Sequence, residues 1–453
     1  MSRWPSELVA RVLGVEASHV GGFTGVGTDT RVLEPGMLFV ALAGEQYDGH
    51  DFLPDAARRG ATGAVVRRGT PPQPGLATFE VEDPLVALGL LARERRRDIT
   101  GPVVAVTGTN GKTATKEMLA RAVGTRWRVH ATRGNLNNLV GVPLTILAAP
   151  DEAQALVVEA GASLPGEVAR LRDVIEPNLA VVTNVAAGHV EGFGSLEGVL
   201  AEKVELVRGV ATAVVGTVPP ALATRARELA SRVVVAGTGP SAEVRPDAWG
   251  LNGEGRVELT VGGVPVRLPL VGKHQAENAM VALAVSEVLE LDLATVAAAL
   301  ADLRLPPGRC EVLHNGDLVV LNDAYNANPL SLTASLETAA AMRGDRPLVV
   351  LLGSMLELGA EAAEHHRLMA DRVMRDDPAL VAVVGEFIPA FQRHAAVLGD
   401  RLITEADPAT LGERVSRRLT GREFVLVKAS RGVQLERAIP YLVPDSDTCS
   451  TIS

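Results

Sequence analysis

Residues 102–123 read PVVAVTGTNGKTATKEMLARAV, and this stretch decides the fold. Its first half is a continuous apolar run that ends on a glycine, the pattern of a strand buried on both faces of a parallel sheet. Its second half places Ala114, Met118 and Ala122 at four-residue spacing, which predicts one apolar helix face. Between them lies a turn, Gly108-Thr109-Asn110-Gly111-Lys112-Thr113. Glycines there let backbone N–H groups approach phosphate oxygens. The following helix N-terminus adds positive potential, Lys112 supplies a cation, and Thr113 supplies a hydroxyl for Mg²⁺. The spacing is G-x-x-G-K-T. The commoner G-x-x-x-x-G-K-[ST] pattern would need glycine where this chain has Val106. The strand and helix on either side therefore carry more of the reading than the bare motif does.

The same alternation extends in both directions. ALVVEAG (155–161) and LAVVTN (179–184) are two further short apolar strands with polar ends, where parallel sheets place their ligands. Toward the N-terminus, GMLFVALAGEQYDGHDFL and AARRGATGAVVRRG predict a smaller α/β unit that ends at the basic run RERRRD, with a boundary near 99. RVELTVGGVPVRLPLVG predicts an antiparallel excursion turning at its Gly-Gly pair. Pro306-Pro307-Gly308 marks a second boundary near 306. Beyond it DLVVLND, PLVVLLG, ALVAVVG and EFVLVKAS alternate with helical segments, predicting a second α/β sheet. The polar tail DSDTCSTIS reads as frayed. The expected organisation is α/β in three domains, 1–99, 100–306 and 307–453.

Composition bounds the function. The chain has 453 residues, 44 basic against 54 acidic side chains, and a net charge of −10. That argues against general binding to nucleic acid or anionic membranes. Two cysteines, Cys310 and Cys449, lack metal-ligand spacing and suit a reducing cytoplasm. No apolar run approaches the ~20 residues needed to span a bilayer, and the N-terminus lacks a signal-peptide pattern.

Three further residues stand out chemically. Glu159 ends an apolar strand and is placed to hold a metal; the alternative is a strand-end surface acid. His189 follows Thr183-Asn184 in a loop, where a metal or phosphate role and mere exposure are both open. Ser195 is positioned to start a helix in which Leu196, Val199, Leu200 and Val207 form a stripe, and Lys203 falls on that stripe. Such a lysine either snorkels or loses its charge to desolvation, and a neutral amine can take up CO₂ as a carbamate.

Ten segments in order extend the pattern: TDTRVLEPGMLFVALAGEQYDGHDF, TGTNGKTATKEML, GNLNNLVGVPLTIL, EAGASLPGEVARL, TNVAAGHVEGFGSLEGVLAEKVEL, GKHQAENAMVALA, PPGRCEVL, NDAYNANPLSL, LLGSMLELG and FVLVKASRG. Across nearly its whole length the chain resembles the ATP-dependent Mur ligases of cell-wall synthesis. GNLNN, GHVEGFGS and YNANP resemble the branch that adds D-alanyl-D-alanine to UDP-N-acetylmuramoyl-tripeptide. The resemblance implies a UDP-binding N-terminal domain, a central ATPase and a C-terminal Rossmann-like domain. It implies that Thr28, Asp29, Thr30 and Arg31 meet the UDP-sugar, and that Gly108 to Thr113 hold ATP. Thr113 and Glu159 would bind one Mg²⁺; His189 and a carbamylated Lys203 would bind or orient a second. Asn135, Asn137 and Asn138 would sit near the reacting groups, with Lys112, Lys203, His189 and Asn138 catalytic. Asn278, Arg309, Asp323 and Tyr325 would contact the nucleotide. Asn326, Lys428, Ser430 and Arg431 would line the substrate side. His189 and His366 are candidates for the base that deprotonates the attacking amine. The resemblance further implies a monomer. Two positions depart from the family pattern: Ala429, where glycine is frequent, and Ser354, where aspartate is common. Another Mur-type ligase, a folylpolyglutamate-like ligase and a nucleotide-binding scaffold are the competing readings.

Overall fold

The computed structural model describes residues 3–16, 21–44, 46–186 and 190–444. His189 and the tail that contains Cys449 lie outside the described residues. The chain forms two compact units: residues 1–105 with 127–162 and 166–180, and residues 106–126 with 163–165 and 181–453.

In the first unit, four short strands, Val26–Gly27 (β1), Leu38–Val40 (β2), Gly63–Arg67 (β3) and Ala77–Val81 (β4), pair in parallel in that order. Helices Ser6–Leu13 (α1), Leu53–Arg58 (α2) and Pro84–Arg96 (α3) accompany them. Ser6 is the first residue of α1, and Pro5 stands at the cap position. Asp83 caps α3 by accepting from the Leu85 and Val86 N–H groups, and Pro84 fits the first turn because its missing N–H would be unpaired there anyway.

The motif-bearing sheet has six strands: Val103–Thr107 (β5), Val129–Ala131 (β6), Ala155–Glu159 (β7), Leu179–Val182 (β8), Thr212–Val215 (β9) and Arg232–Val235 (β10). Their spatial order is β10-β9-β8-β5-β7-β6. The strand that feeds the phosphate loop, β5, is thus central, with β8 and β7 on either side. The predicted helix is Lys112–Val123 (α4), and Ala114, Met118 and Ala122 are buried as expected. Helices Gly141–Leu147 (α5), Glu167–Ile175 (α6) and Leu196–Val204 (α7) follow. Ser195 does cap α7, accepting from the Gly198 N–H at 3.1 Å. The expected stripe needs one correction: Leu196 is 46% exposed, because it sits in the first turn, while Val199, Leu200 and Val207 are buried.

Strands Ala248–Leu251 (β11), Arg256–Val261 (β12) and Val264–Val271 (β13) form the antiparallel excursion, with Gly262-Gly263 at its turn. Helices Lys273–Val288 (α8) and Leu293–Leu300 (α9) pack on α4.

The last sheet contains Glu311–Asn315 (β14), Leu318–Asp323 (β15), Leu348–Leu352 (β16), Leu380–Val383 (β17), Leu402–Thr404 (β18) and Phe424–Lys428 (β19). The order is β14-β15-β19-β16-β17-β18, parallel except for the β14–β15 hairpin. Its helices are Pro329–Met342 (α10), Ala362–Met374 (α11) and Pro408–Ser416 (α12). Alternate residues enter different cores. Leu321, Val350, Leu352 and Leu426 pack with Leu332, Leu336 and Val373 of α10 and α11. Val320, Val349, Leu351 and Val427 pack with Leu411 and Val415 of α12. Burial on both faces explains why these strands read as unbroken apolar runs. The helical segment expected after β19 consists of two 3₁₀ turns and a short helix, Ile439–Leu442.

The basic run is not a solvated face. Arg95 and Arg96 are 3% and 9% exposed. Arg95 donates to the Ala149 and Pro150 carbonyls at 3.0 Å, just past the end of α5. Arg96 donates to the Ile175 and Glu176 carbonyls at 2.9 and 2.7 Å, at the end of α6. Helix C-termini leave carbonyls unpaired, and the Arg96 guanidinium satisfies those of α6, while Arg95 holds the turn that follows α5. Arg97, whose side chain is 52% exposed, instead pairs with Glu176 at 2.7 Å. Arg96→Ala should therefore lower stability by on the order of 2 kcal/mol, because buried acceptors lose their donors. Arg97→Ala should cost under about 1 kcal/mol, as an exposed ion pair does. Urea midpoints of the two variants measure the contrast.

Candidate functional site

The phosphate loop is shaped from beneath by the end of β8. Thr109 N–H donates to the Asn184 carbonyl at 2.9 Å. Asn110 N–H donates to Asn184 Oδ1 at 3.0 Å, and the Asn110 carbonyl accepts from Thr183 Oγ1 at 2.6 Å and Asn184 Nδ2 at 3.0 Å. Thr109 Oγ1 donates to the Ala186 carbonyl at 3.2 Å. Glycine is required at both ends. Gly108 has φ +144°, and a Cβ there would lie 2.0 Å from Thr183 Oγ1. Gly111 has φ +78°, and its Cβ would lie 2.2 Å from Asn278 Oδ1. Both values combine a left-handed backbone with an occupied side-chain position. Asn278 on α8 is thereby placed against the loop, held by Gln275 at 3.1 Å. Lys112 folds back over the loop, donating to the Gly108 and Thr109 carbonyls at 2.9 and 3.1 Å. Thr113 is buried at the start of α4.

In the first unit, Glu159 is 2% exposed at the end of β7. Asn137 Nδ2 donates to its Oε1 at 2.8 Å, and its own N–H donates to Thr132 Oγ1 at 2.9 Å. The surface-acid reading of Glu159 is thus excluded by its burial. Asn138 Oδ1 accepts from the Val140 and Gly141 N–H groups at 3.2 and 2.8 Å, so its side-chain oxygen caps the turn into α5. Asn135 is exposed. Thr28, Asp29, Thr30 and Arg31 form a small turn. Asp29 accepts from the Arg31 N–H at 2.9 Å and pairs with its guanidinium at 2.7 Å, which holds the Asp29 carboxyl below its ordinary range.

Lys203 is 1% exposed, and its Nζ lies 5.3 Å from the Phe193 ring centroid. Burial at this depth rules out the snorkelling alternative.

On the C-terminal sheet, β15 and β19 end side by side at Asp323 and Lys428. Lys428 is 2% exposed, pairs with Asp323 Oδ2 and donates to the Asn326 carbonyl at 2.9 Å. Asp323 also accepts from Ser335 Oγ at 2.6 Å and the Cys310 N–H at 3.1 Å. The Arg309 guanidinium stacks 3.8 Å from the Tyr325 ring centroid, with Arg431 at 5.2 Å. Asn326 is exposed, and its Oδ1 accepts from the Ala327 N–H at 2.9 Å. Ser430 Oγ accepts from the Leu356 N–H at 2.9 Å. At the departure noted above, Ser354 Oγ accepts from the Glu386 N–H at 2.9 Å. The second unit thus brings together the loop and Asn278, and the group Arg309, Asp323, Tyr325 and Lys428.

Three family descriptions match the chain in sequence: "Mur ligase family, catalytic domain" over 22–96, "Mur ligase middle domain" over 106–286, and "Mur ligase, glutamate ligase domain" over 308–431. The UDP-N-acetylmuramoyl-tripeptide–D-alanyl-D-alanine ligase of Bacillus subtilis (strain 168) is 33% identical over 92% of this chain and 93% of its own. The chain belongs to the Mur ligase family. A crystal structure of MurF from Acinetobacter baumannii superposes with a TM-score of 0.87, at 26% identity over 97% of this chain and 98% of that one. The MurF ligase from Thermotoga maritima, crystallised with ADP, gives 0.82 at 28% identity over 92% and 96%.

Two features of this Mur ligase were not legible in the sequence. Thr183 and Asn184 form the loop's support, and their only signal was two polar residues closing an apolar strand. Cys310 Sγ lies 3.6 Å from His274 Nε2. Burial pushes the thiol well above its ordinary value and the imidazole below its own, so both stay neutral and the pair is not an activated nucleophile.

His366 is a correction. Its Nε2 accepts from the Met355 N–H at 2.9 Å and its Nδ1 donates to the Ala362 carbonyl at 2.7 Å. Both nitrogens of this Mur ligase histidine are occupied inside the C-terminal core, so it has no lone pair to offer an amine. Burial lowers its pKa from 6.5, which makes the unfolded state the better proton acceptor. The stability this provides is complete above about pH 6.5 and is lost as pH falls through the lower folded value. His366→Leu should flatten the loss of unfolding midpoint between pH 7 and pH 5, yet leave the pH–rate profile in place. A shifted profile would return His366 to the chemistry.

Proposed function

We infer that this chain is an ATP-dependent amide ligase that joins D-alanyl-D-alanine to UDP-N-acetylmuramoyl-tripeptide, forming the pentapeptide precursor of peptidoglycan. The observation that carries the reading is the phosphate loop in its supporting frame, within a chain matched over more than nine-tenths of its length by ligases of that name. The domains are those bounded near 99 and 306, a division supported by where the three family matches begin and end.

The chemistry follows from the substrate. A carboxylate is a poor acyl donor because its leaving group would be oxide. Its oxygen therefore attacks the γ-phosphorus of ATP, ADP departs, and an acyl phosphate remains. The amine of D-alanyl-D-alanine attacks the acyl carbon, a proton leaves the nitrogen, and inorganic phosphate departs as the amide forms. The N-terminus of α4 and Lys112 offset charge on the transferring phosphoryl group. To serve there, Lys112 must turn from the loop carbonyls toward the phosphates. Asn278, Arg309, Asp323 and Tyr325 hold the nucleotide. Thr28 to Arg31 meet the UDP-sugar, and Asn135, Asn137, Asn138, Asn326, Lys428, Ser430 and Arg431 serve the peptide and amine ends. Orientation of the reacting groups is worth ~7–11 kcal/mol in well-aligned systems.

The donors available suit Mg²⁺: a buried hydroxyl at Thr113 and a buried carboxylate at Glu159, both hard oxygen ligands. These two would hold one ion, and His189 with a carbamylated Lys203 a second; the ions would neutralise phosphate charge. The carbamate forms as the neutral Nζ adds to CO₂ and releases a proton. Its support is the depth of Lys203 among Val199, Val207 and Phe193. Among the described residues no helix is long and apolar enough to cross a membrane, and a cytoplasmic monomer fits the nucleotide substrates.

ADP release should require both UDP-N-acetylmuramoyl-tripeptide and D-alanyl-D-alanine, with a product mass equal to their sum less one water. Turnover with glutamate or diaminopimelate and none with the dipeptide would move the chain to another branch. Lys203→Ala should fold yet lose most activity, with partial recovery in short carboxylic acids; wild-type rates would remove the carbamate.

A further inference from the structure

One polar contact in the second unit has no place in the chemistry above. Asn328 is 5% exposed and precedes α10. Its Nδ2 donates to Asn110 Oδ1 at 2.7 Å, and Asn110 Nδ2 donates back to Asn328 Oδ1 at 3.4 Å. The two residues are 218 positions apart in sequence. On one side of this reciprocal amide pair, the Asn110 backbone is already fixed by Thr183 and Asn184, so its side chain is the group left to reach outward. On the other side, Asn328 caps α10: its Oδ1 accepts from the Ser331 N–H at 2.9 Å, and its own N–H donates to Ser331 Oγ at 3.0 Å. One turn on, Ser335 Oγ lies 2.8 Å from the Ser331 carbonyl and 2.6 Å from Asp323 Oδ2, its single proton shared between the two acceptors. An unbroken line of hydrogen bonds therefore runs from the phosphate loop through the first turns of α10 to Asp323.

We propose that Asn328 is a positioning residue for ATP: its amide pair with Asn110 locks α10 to the phosphate loop and so fixes the span between the loop and Arg309, Tyr325 and Asp323. The proposal rests on the reading that this loop holds ATP phosphates. Asparagine is the residue type that fits both tasks. Aspartate and serine cap helices equally well, but aspartate lacks the donor to Asn110 and serine is too short to reach it. The capping and pairing roles are thereby separable by mutation.

Asn328→Ser should leave the unfolding midpoint near that of the wild type, because a capping oxygen remains. It should raise KM for ATP by about tenfold, the scale of one hydrogen-bonded contact, with KM for both peptide substrates unchanged. Asn110→Ala should do the same. The double variant should be no worse than either single one, since both remove one shared contact. Fully additive losses, or an unchanged KM for ATP in Asn328→Ser, would overturn the proposal. Asn328→Asp supplies a second arm: it too keeps the cap and should weaken ATP binding. Calorimetric titration with ADP separates the levels. No binding to the wild type at millimolar ADP would sink the nucleotide-site reading and the inference with it. Equal binding by wild type and both Asn328 variants would sink the amide pair alone.

Discussion

The constraint on which the rest depends is that a phosphate-binding turn must hold one fixed backbone shape, and that shape is imposed from outside the turn. Here the holding is done by two side chains and one main-chain segment at the end of a neighbouring strand. Thr183 and Asn184 occupy the inner side of Asn110, and the glycines at 108 and 111 exist because Thr183 and Asn278 fill their side-chain positions. A Cβ would collide with Thr183 at one end and with Asn278 at the other. The loop is therefore rigid by exclusion as much as by attraction, and rigidity of this kind requires no reorganisation when charge moves.

A second theme is how buried charge is kept satisfied. Lys428 and Asp323 meet where two parallel strands end, and neither relies on the other alone. The lysine also reaches a main-chain carbonyl, and the carboxylate collects a hydroxyl and a peptide N–H. A buried pair without such extra partners would be a net cost of desolvation. With them, the pair ties the end of β15, two residues before Tyr325, to the end of β19.

Much of this was readable before any coordinates. Apolar runs burying alternate residues in two cores could be recognised as parallel strands, and the G-x-x-G-K-T turn between strand and helix announced its chemistry. Lys203 on an apolar stripe proved buried because helical periodicity fixes direction without tertiary information, although the same stripe overreached at Leu196, where the first turn faces outward. What could not be read was anything set by contacts distant in sequence. The edge strand at 402–404 is too short for a pattern. The arginines at 95 and 96 look like surface charge until their carbonyl partners, about 55 and 80 positions away, are seen. His366 resembled a catalytic base by type and proved to be a cross-link between main-chain groups.

Those arginines bear on how the molecule could have been assembled from parts. The first hundred residues look detachable in a linear reading, ending in a charged run before a Gly-Pro step. Yet the side chains of that run hold the end of one helix and the turn after another, both beyond it. Severed at that point, the leading piece would expose guanidinium groups with nothing to hold, and the remainder would carry frayed helix ends. Exchange of the front segment between relatives would thus succeed only if the receiving chain offered carbonyls at matching places, which ties the evolution of the two stretches together.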